Sequence, residues 1–201
     1  VAGFRTGLRV YYQDNTPLMK ISDATLGWVL DSSGKQVYKM HDETLPTKYT
    51  PKTIHSLNSE VPNALTRKLV SEALQTGIRS IDSFLTIGTG ARLAVLAEPG
   101  VGKSTLMASI AAGSSADVNV IALIGERGRE VREFIELSLP ESARKNTIVI
   151  FSTSDESALA RQNAALLATT VAEYFRDQGL NVMLQIDSLT RLLRAWREIG
   201  L

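Results

Sequence analysis

The chain has 201 residues, which is enough for one full domain and part of another. Its 22 Lys and Arg residues against 21 Asp and Glu residues give a formal net charge of +1, so no overall basic field favours a nucleic-acid partner. The absence of cysteine excludes disulfides and thiolate zinc clusters and is consistent with a reducing, cytosolic setting, and no apolar run reaches the roughly 18–20 residues of a membrane span.

Residues 1–45 are predicted to form part of a small β-barrel that precedes the rest of the chain. Leu8–Tyr12 and Leu26–Asp31 are rich in β-forming residues and are predicted strands, with a tight turn after the second. Trp28 could serve as a stacking platform for a ligand, but a half-buried barrel residue is the favoured interpretation. The chain starts at Val1 without a signal-peptide pattern, and we interpret this start as a cut end.

Residues 46–66 are predicted to be an extended linker, because prolines are scattered among polar residues and no periodic apolar pattern continues. Apart from two adjacent acidic residues, His41 and His55 have no cluster of possible metal ligands near them in the sequence. They are therefore interpreted as solvated loop histidines. The remaining residues, 67–201, are predicted to form one incomplete core.

A phosphate-binding loop is predicted between an apolar run and a helix-like run. The apolar run Leu93–Leu96 precedes the loop and Leu106–Ala112 follows it, which gives the order of strand, loop and helix that such a loop requires. A surface turn could hold the same residues by chance, but the correct order of all three elements disfavours that interpretation. The predicted nucleotide-binding residues are Ala97, Glu98, Pro99, Gly100, Val101, Gly102, Lys103, Ser104 and Thr105.

Each of these residue types has a physical role at a phosphate group. Gly100 and Gly102 lack a Cβ atom, so the chain can curl and turn backbone N–H groups toward an anion at the start of a helix. Lys103 supplies a mobile cation for the β- and γ-phosphates, and the Ser104 hydroxyl can ligate Mg²⁺. Thr105 is placed to contact the α-phosphate. The chain is therefore predicted to bind a nucleoside triphosphate.

The rest of the chain alternates apolar strands with helices. This pattern is typical of a parallel sheet with helices on both faces, and ligands of such sheets bind beyond the carboxyl ends of the strands. Ser154 or Asp155 is the predicted cap of the longest helix, and Gly179 is its predicted end. The predicted strands are 92–97, Val118–Ile124, Thr147–Phe151 and Val182–Ile186, and the predicted helices are Arg129–Leu139, Asp155–Gln178 and Leu189–Ile199, with a helical turn within 75–85.

Glu126 follows the strand after the phosphate-binding loop and is the predicted catalytic carboxylate. A carboxylate at that position can orient and deprotonate an attacking water. Arg127 could hold the γ-phosphate and offset charge that develops in the transition state. The alternative is that Glu126 and Arg127 only pair with each other in a loop.

Asp187 ends an apolar strand, as the acid of a Walker B motif does. It can accept hydrogen bonds from Mg²⁺-bound water opposite Ser104. Gln185 places an amide inside the same apolar run, so it must find hydrogen-bond partners or lie in a partly open sheet. Farther on, Arg194 and Glu198 are four residues apart and are predicted to form a surface pair.

Six blocks of the sequence carry a resemblance to a known family. They are Gly125–Phe134, Ala172–Gly179, Asp187–Arg191, Arg197–Leu201, Thr76–Asp82 and Leu26–Asp31. These blocks resemble the flagellar and type III secretion export ATPases, which are cousins of the catalytic subunit of rotary ATP synthases. The resemblance extends over nearly the whole chain, and its first block is the most specific.

This resemblance implies an N-terminal β-barrel, a RecA-like P-loop NTPase core and a C-terminal helical domain in a homohexameric ring. ATP hydrolysis in such rings drives protein export from a cytoplasmic position, peripheral to the bacterial inner membrane. It further implies stator and stalk proteins, secretion substrates and chaperones as partners, and no nucleic acid. The implied cofactors are ATP and Mg²⁺, with Lys103 and Ser104 at the phosphates and metal, Glu126 catalytic, Arg127 assisting and Asp187 as the Walker B acid.

The sequence also departs from the family pattern at Ala97, Gln185, Leu192–Arg194 and Trp196. The chain stops at Leu201 within the implied core, where an unpaired sheet edge is expected. A fragment, a truncated paralogue and a decayed gene remain open interpretations. Two other functions are considered: an assembly module that binds nucleotide with little or no turnover, and a Rho-type RNA translocase, which the neutral charge disfavours.

Overall fold

The central feature of the computed structural model is a five-stranded sheet with helices on both faces. This arrangement confirms the predicted α/β fold class. Apart from Arg9, the predicted strand at Leu8–Tyr12 lies outside the residues that the structure describes, and so does the histidine at His41. The described residues are 9, 18–40, 53–57, 62–98 and 100–200.

Three adjacent parallel strands, all predicted from their apolar runs, make up one half of this sheet, up to one edge. The long strand β7 (Val118–Glu126) pairs with β8 (Thr147–Thr153) on one side and with β9 (Val182–Asp187) on the other. A hairpin of β2 (Trp28–Leu30) and β3 (Gln36–Lys39) extends the sheet beyond β8, with β2 parallel to β8 and β3 antiparallel to β2. The strand order is therefore β3–β2–β8–β7–β9.

Alternate residues of β7 pack on opposite layers of helices. Val120 and Ala122 lie in the cluster with helices α5 (Ala158–Asp177) and α6 (Leu189–Gly200), whereas Ile121 lies in the cluster on the other face. Because side chains alternate along a strand, one apolar strand supplies both halves of the core. The second layer contains α2 (Lys103–Gly113), α3 (Gly128–Glu133), a π-helical turn (Phe134–Ser138) and α4 (Glu141–Arg144).

Helix α5 begins two to three residues later than the sequence predicts. Its cap is Ser157, whose hydroxyl accepts a hydrogen bond from the Ala160 amide, so the predicted caps Ser154 and Asp155 are wrong. The helix ends before Gly179, as predicted, and Gly179 has a φ of +87°. Among the described helices, none is long and apolar enough to cross a membrane.

The N-terminal part of the chain contributes to two sheets. Strand β1 (Leu18–Ile21) pairs antiparallel with β4 (Thr53–Ser56), and the β2–β3 hairpin belongs to the central sheet. The strand predicted at Leu26–Asp31 and the turn after it are therefore confirmed, with the Asp31 carboxylate accepting from the Ser33 and Lys35 amides. Strand β4 lies within the predicted linker 46–66, where the sequence did not predict a strand. The division of the chain into three segments stays a prediction.

The predicted first core strand, 92–97, is wrong in this structure. The segment is irregular, and Leu93, Val95 and Leu96 are 60%, 41% and 94% exposed. An extended apolar segment becomes a strand only when a neighbour completes its hydrogen bonds, and no described strand pairs with this one. Upstream of it lie helix α1 (Arg79–Phe84) and the short pair β5 (Ala73–Leu74) and β6 (Ile87–Gly88).

Strand β9 is the edge of the central sheet, and its residues before Asp187 are only half-buried. Both polar atoms of the Gln185 amide are buried without a hydrogen-bond partner within the described part of the chain. Of the two alternatives for Gln185, the structure therefore shows the second, an amide in a partly open sheet. Among the described strands, β9 has no pairing neighbour on its outer side.

Candidate nucleotide-binding site

The predicted phosphate-binding loop leads directly into helix α2. Gly100 and Gly102 have φ values of +84° and +96°, and apart from chain neighbours no heavy atom of the described residues lies within 4 Å of a Cβ built at either position. The glycines are thus needed for their left-handed backbone and not for space. Gly102 caps α2, whose free N–H groups and dipole favour an anion at this end.

The remaining loop residues are largely exposed to solvent. Ala97 and Glu98 belong to the irregular segment before the loop, Val101 is 65% exposed, and Pro99 lies outside the described residues. Ser104 and Thr105 are exposed in the first turn of α2. The loop is therefore open to a ligand on its solvent side.

Lys103 forms an ion pair with Asp187 at the carboxyl end of β9. The Asp187 side chain is 4% exposed and that of Lys103 is 31% exposed. A carboxylate buried to this degree requires a cationic partner, because its desolvation is otherwise not offset. The structure thus brings the predicted phosphate-loop lysine and the predicted Walker B acid together.

A cavity of about 160 Å³ lies beside this ion pair. Three predicted site residues line it, one from α2 and one from each of the strand ends of β7 and β9. Its position beyond the carboxyl ends of parallel strands is the one expected for a ligand site. The lining residues are Ser104, Leu123, Glu126, Glu130, Glu133, Phe134, Ser138 and Asp187.

Glu126 is held at the end of β7 by an arginine from the first turn of α6. Arg191 Nη1 lies 2.6 Å from Glu126 Oε1 and donates a 2.7 Å hydrogen bond to the carbonyl oxygen of Gly125. The pairing of β7 with β8 shifts register between Ile124 and Glu126, and Gly125 has a φ of +66°. This local distortion directs Glu126 into the cavity.

The environment of Glu126 favours its protonated form. Burial raises the pKa of Glu126, and a hydrogen bond with the Glu130 carboxyl raises it further, although Arg191 acts in the opposite direction. Conversely, the hydrogen bond from Glu126 lowers the pKa of Glu130. A carboxylate whose pKa is raised is a stronger base at neutral pH, which is the property required for removing a proton from water.

Arg127 does not pair with Glu126, so the alternative that these two only neutralise each other is wrong. Its side chain is 73% exposed, and its Nη1 lies 3.1 Å from Glu130 Oε1. The predicted pair of Arg194 with Glu198 is also replaced, because Glu198 lies 2.8 Å from Arg161 of α5. The predicted role of Arg127 at the γ-phosphate stays a prediction.

The sequence did not predict the contact of Arg191 with Glu126 or that of Glu130 with Glu126. Glu130 lies four residues after Glu126, a spacing that can bring two side chains together around a helix start. In the sequence, Arg191 stands out only as the last residue of the block Asp187–Arg191. Its contact with Glu126 depends on β9 pairing next to β7, which the residue order alone does not show.

The oxygen donors at the cavity fit a magnesium ion. The Ser104 hydroxyl and the Asp187 carboxylate line the same space, and Mg²⁺ prefers such hard oxygen ligands together with phosphate oxygens. The ammonium group of Lys103 on Asp187 shows that this position attracts a cation. The predicted metal ligands are therefore compatible with the geometry.

Comparison with known proteins identifies the family. Residues 77–201 match the model of the ATP synthase alpha/beta family, nucleotide-binding domain. The chain belongs to this family. The resemblance to export ATPases is also confirmed, because flagellum-specific and type 3 secretion ATPases are among the similar proteins.

Three relatives illustrate the likeness. The flagellum-specific ATP synthase of Bacillus subtilis is 49% identical over 185 residues, which cover 91% of this chain and 40% of that protein. The type 3 secretion system ATPase of Xanthomonas euvesicatoria is 51% identical over 145 residues, covering 72% of this chain and 33% of that protein. The assembled ATPase EscN of enteropathogenic E. coli, solved in complex with its central stalk EscO, matches with a TM-score of 0.86 and 44% identity over 100% of this chain and 48% of that one. This chain spans less than half the length of each.

Proposed function

We propose that the chain is the ATP-binding part of an ATPase that energises protein export through a flagellar or type III secretion apparatus. The observation that supports this most is the convergence of Ser104, Glu126 and Asp187 on one cavity, with Lys103 paired to Asp187 beside it. The names of the relatives supply the export context. An assembly module without turnover is not favoured, because the carboxylate suited to act on water is present.

The proposed reaction is attack of water on the γ-phosphorus. The bond to the oxygen that bridges the β- and γ-phosphates breaks, and the proton of the water passes to Glu126. Lys103 leaves Asp187 to contact the phosphates, and Arg127 offsets charge on the transferred group. Mg²⁺ held by Ser104, with water-mediated contacts to Asp187, would neutralise the phosphate oxygens.

The proposal extends to the assembly. EscN is described as an assembled ATPase with a central stalk, and we infer a comparable homohexameric ring for the protein to which this chain corresponds. Stator and stalk proteins, secretion substrates and chaperones are the proposed partners, and the proposed place is the cytoplasmic side of the bacterial inner membrane. The proposed organisation is a partial barrel at 1–45, a linker at 46–66 that contains strand β4, and the ATP-binding core at 67–201.

Two substitutions separate binding from chemistry. Lys103→Ala is expected to abolish binding of Mg-ATP, because the cation for the phosphates is removed. Glu126→Gln is expected to retain binding within about threefold and to lose hydrolysis, by about 10²–10⁴-fold for a general base. Binding is measured by fluorescence anisotropy of a labelled ATP analogue, and hydrolysis by release of phosphate.

The exposed residues Lys68 and Glu72 provide matched controls, since Lys68→Ala and Glu72→Gln make the same chemical changes away from the cavity. Loss of binding in both Lys103→Ala and Glu126→Gln would remove Glu126 from its assigned role. Turnover stimulated by RNA would instead support a Rho-type translocase.

The 201-residue chain is expected to hydrolyse ATP far more slowly than a complete export ATPase ring. An arginine supplied by a neighbouring subunit raises phosphoryl-transfer rates by about 10³–10⁵-fold in other systems. The turnover number is compared with that of a full-length relative under the same conditions. Equal values would contradict this expectation.

A further inference from the structure

Arg161 lies near the start of α5, behind the end of β7 that carries Gly125 and Glu126. Its side chain is 17% exposed, and its Nη2 lies 2.8 Å from Glu198 Oε2 near the end of α6. Its Nε atom is buried without a hydrogen-bond partner among the residues described. Glu198 is thus the acid that neutralises a largely buried guanidinium group.

The stems of Arg161 and Arg191 meet at Gly125. A Cβ atom built on Gly125 would lie 3.3 Å from Arg161 Cδ and 3.2 Å from Arg191 Cδ. The missing side chain therefore lets both arginines approach the backbone immediately before Glu126. Arg191 uses this approach to reach Gly125 and Glu126, whereas Arg161 is drawn to α6 by Glu198.

Besides its apolar packing, helix α6 is consequently joined to its neighbours by two ion pairs. Arg191 and Glu198 are seven residues apart, about two helical turns, and so lie on one face of the helix. Arg191 joins its first turn to the end of β7, and Glu198 joins its last turns to α5. Leu192 and Ala195 pack α6 into the core, and the two ion pairs add charged restraints on the rotation of the helix that presents Arg191.

We propose that the ion pair of Arg161 with Glu198 positions Glu126 for hydrolysis, through Arg191. The inference rests on the proposed function. Neither member of the pair lines the cavity, so both are positioning residues and not catalytic ones. Without Arg161, α6 loses its second ion pair, and Arg191 no longer holds Glu126 in one place. Without Glu198, the unpaired cation of Arg161 competes with Arg191 for the contacts with Gly125 and Glu126.

Arg161→Gln, Glu198→Gln and the double variant test this positioning in the full chain. ATP hydrolysis is measured under single-turnover conditions with protein in excess, and the dissociation constant for ATP is measured separately. Displacement of a catalytic group by about 1 Å can cost about 10²-fold in rate, so each single variant is expected to hydrolyse ATP about 10- to 100-fold more slowly. Binding is expected to change less than twofold.

The double variant is expected to be no slower than the slower single variant, because two residues that act as one unit give non-additive effects. Arg176 provides the control, since it forms exposed ion pairs with Glu173 and Asp177 at the other end of α5, and Arg176→Gln should leave the rate unchanged. Arg161→Lys keeps the cation and is expected to hydrolyse ATP faster than Arg161→Gln. This comparison tests the role of the cation even if the glutamine variants fold poorly.

Three results would overturn the inference while leaving the proposed function intact. They are single-variant rates within twofold of the wild type, rate losses that multiply in the double variant, and losses explained by weaker ATP binding. Absence of any Lys103-dependent hydrolysis by the wild-type chain would instead refute the proposed function itself, and the positioning role with it.

Discussion

Replacing Gly125 by alanine tests whether the position of Glu126 depends on the close approach of two arginines to the backbone before it. The substitution adds one methyl group immediately before Glu126. Gly125 has a φ of +66°, and the new Cβ would lie 3.2 Å from Arg191 Cδ and 3.3 Å from Arg161 Cδ. Both contacts are tighter than ordinary van der Waals separations, so the arginine stems must shift by a few tenths of an ångström.

Two costs contribute to the expected effect. A left-handed backbone costs about 1–2 kcal/mol for an L-residue, and overpacking adds about 1–3 kcal/mol. Gly125→Ala is therefore expected to lower the free energy of unfolding by about 2–5 kcal/mol. Gly179 supplies the matched control, because its φ is +87° and a Cβ there would meet nothing within 4 Å. Gly179→Ala should show only the backbone cost of about 1–2 kcal/mol.

Urea unfolding followed by circular dichroism measures the stability of both variants, and single-turnover hydrolysis measures their chemistry. Gly125→Ala is expected to lose rate by at least about tenfold, because Arg191 can no longer hold Glu126 in its present place. Gly179→Ala is expected to retain the wild-type rate. Equal losses of stability in the two variants, with equal rates, would refute the reasoning about the arginine contacts.

Two further substitutions test local features of the fold and the site. Ser157→Ala is expected to destabilise the protein by about 1 kcal/mol, since it removes the cap of α5, whereas Ser154→Ala should cost less; urea unfolding compares them. The pKa of Glu126 is raised in the folded state, so protonated Glu126 stabilises the fold. This stabilisation is fully present at pH values below the ordinary pKa of 4.5 and is lost as the pH rises through the folded pKa. Glu126→Gln is therefore expected to gain stability relative to the wild type as the pH rises above 4.5 in urea titrations; a constant difference would contradict the raised pKa.

The features that the sequence predicts best are contiguous along the chain. Strands β7 and β8 are runs of apolar residues buried on both faces, β9 is a half-buried apolar run, and each is found within a few residues of its predicted bounds. The helix that starts at Lys103 follows from the glycines before it. In these cases, the residues that determine the conformation are the residues that adopt it.

The features that the sequence predicts poorly depend on partners elsewhere in the chain. Segment 92–97 has the composition of a strand but pairs with no described strand, whereas Thr53–Ser56 has proline-rich surroundings and pairs with Leu18–Ile21. The hairpin that contains Trp28 joins the central sheet through β8, far away in sequence. Strand formation therefore reflects the available neighbour as much as local propensity.

The same distinction applies to the site: the sequence predicts which residues take part, but not how Glu126 is oriented. The phosphate-binding loop is one local motif, so Lys103 could be assigned before the fold was known. Glu126 was also assigned from its position after a strand, but its orientation depends on Arg191, which is 65 residues away. Because Arg161 and Glu198 determine how α6 presents that arginine, residues outside the cavity are expected to influence rate without influencing affinity. A loss of hydrolysis with retained ATP binding therefore distinguishes variants of Arg161 and Glu198 from variants of the phosphate-binding loop.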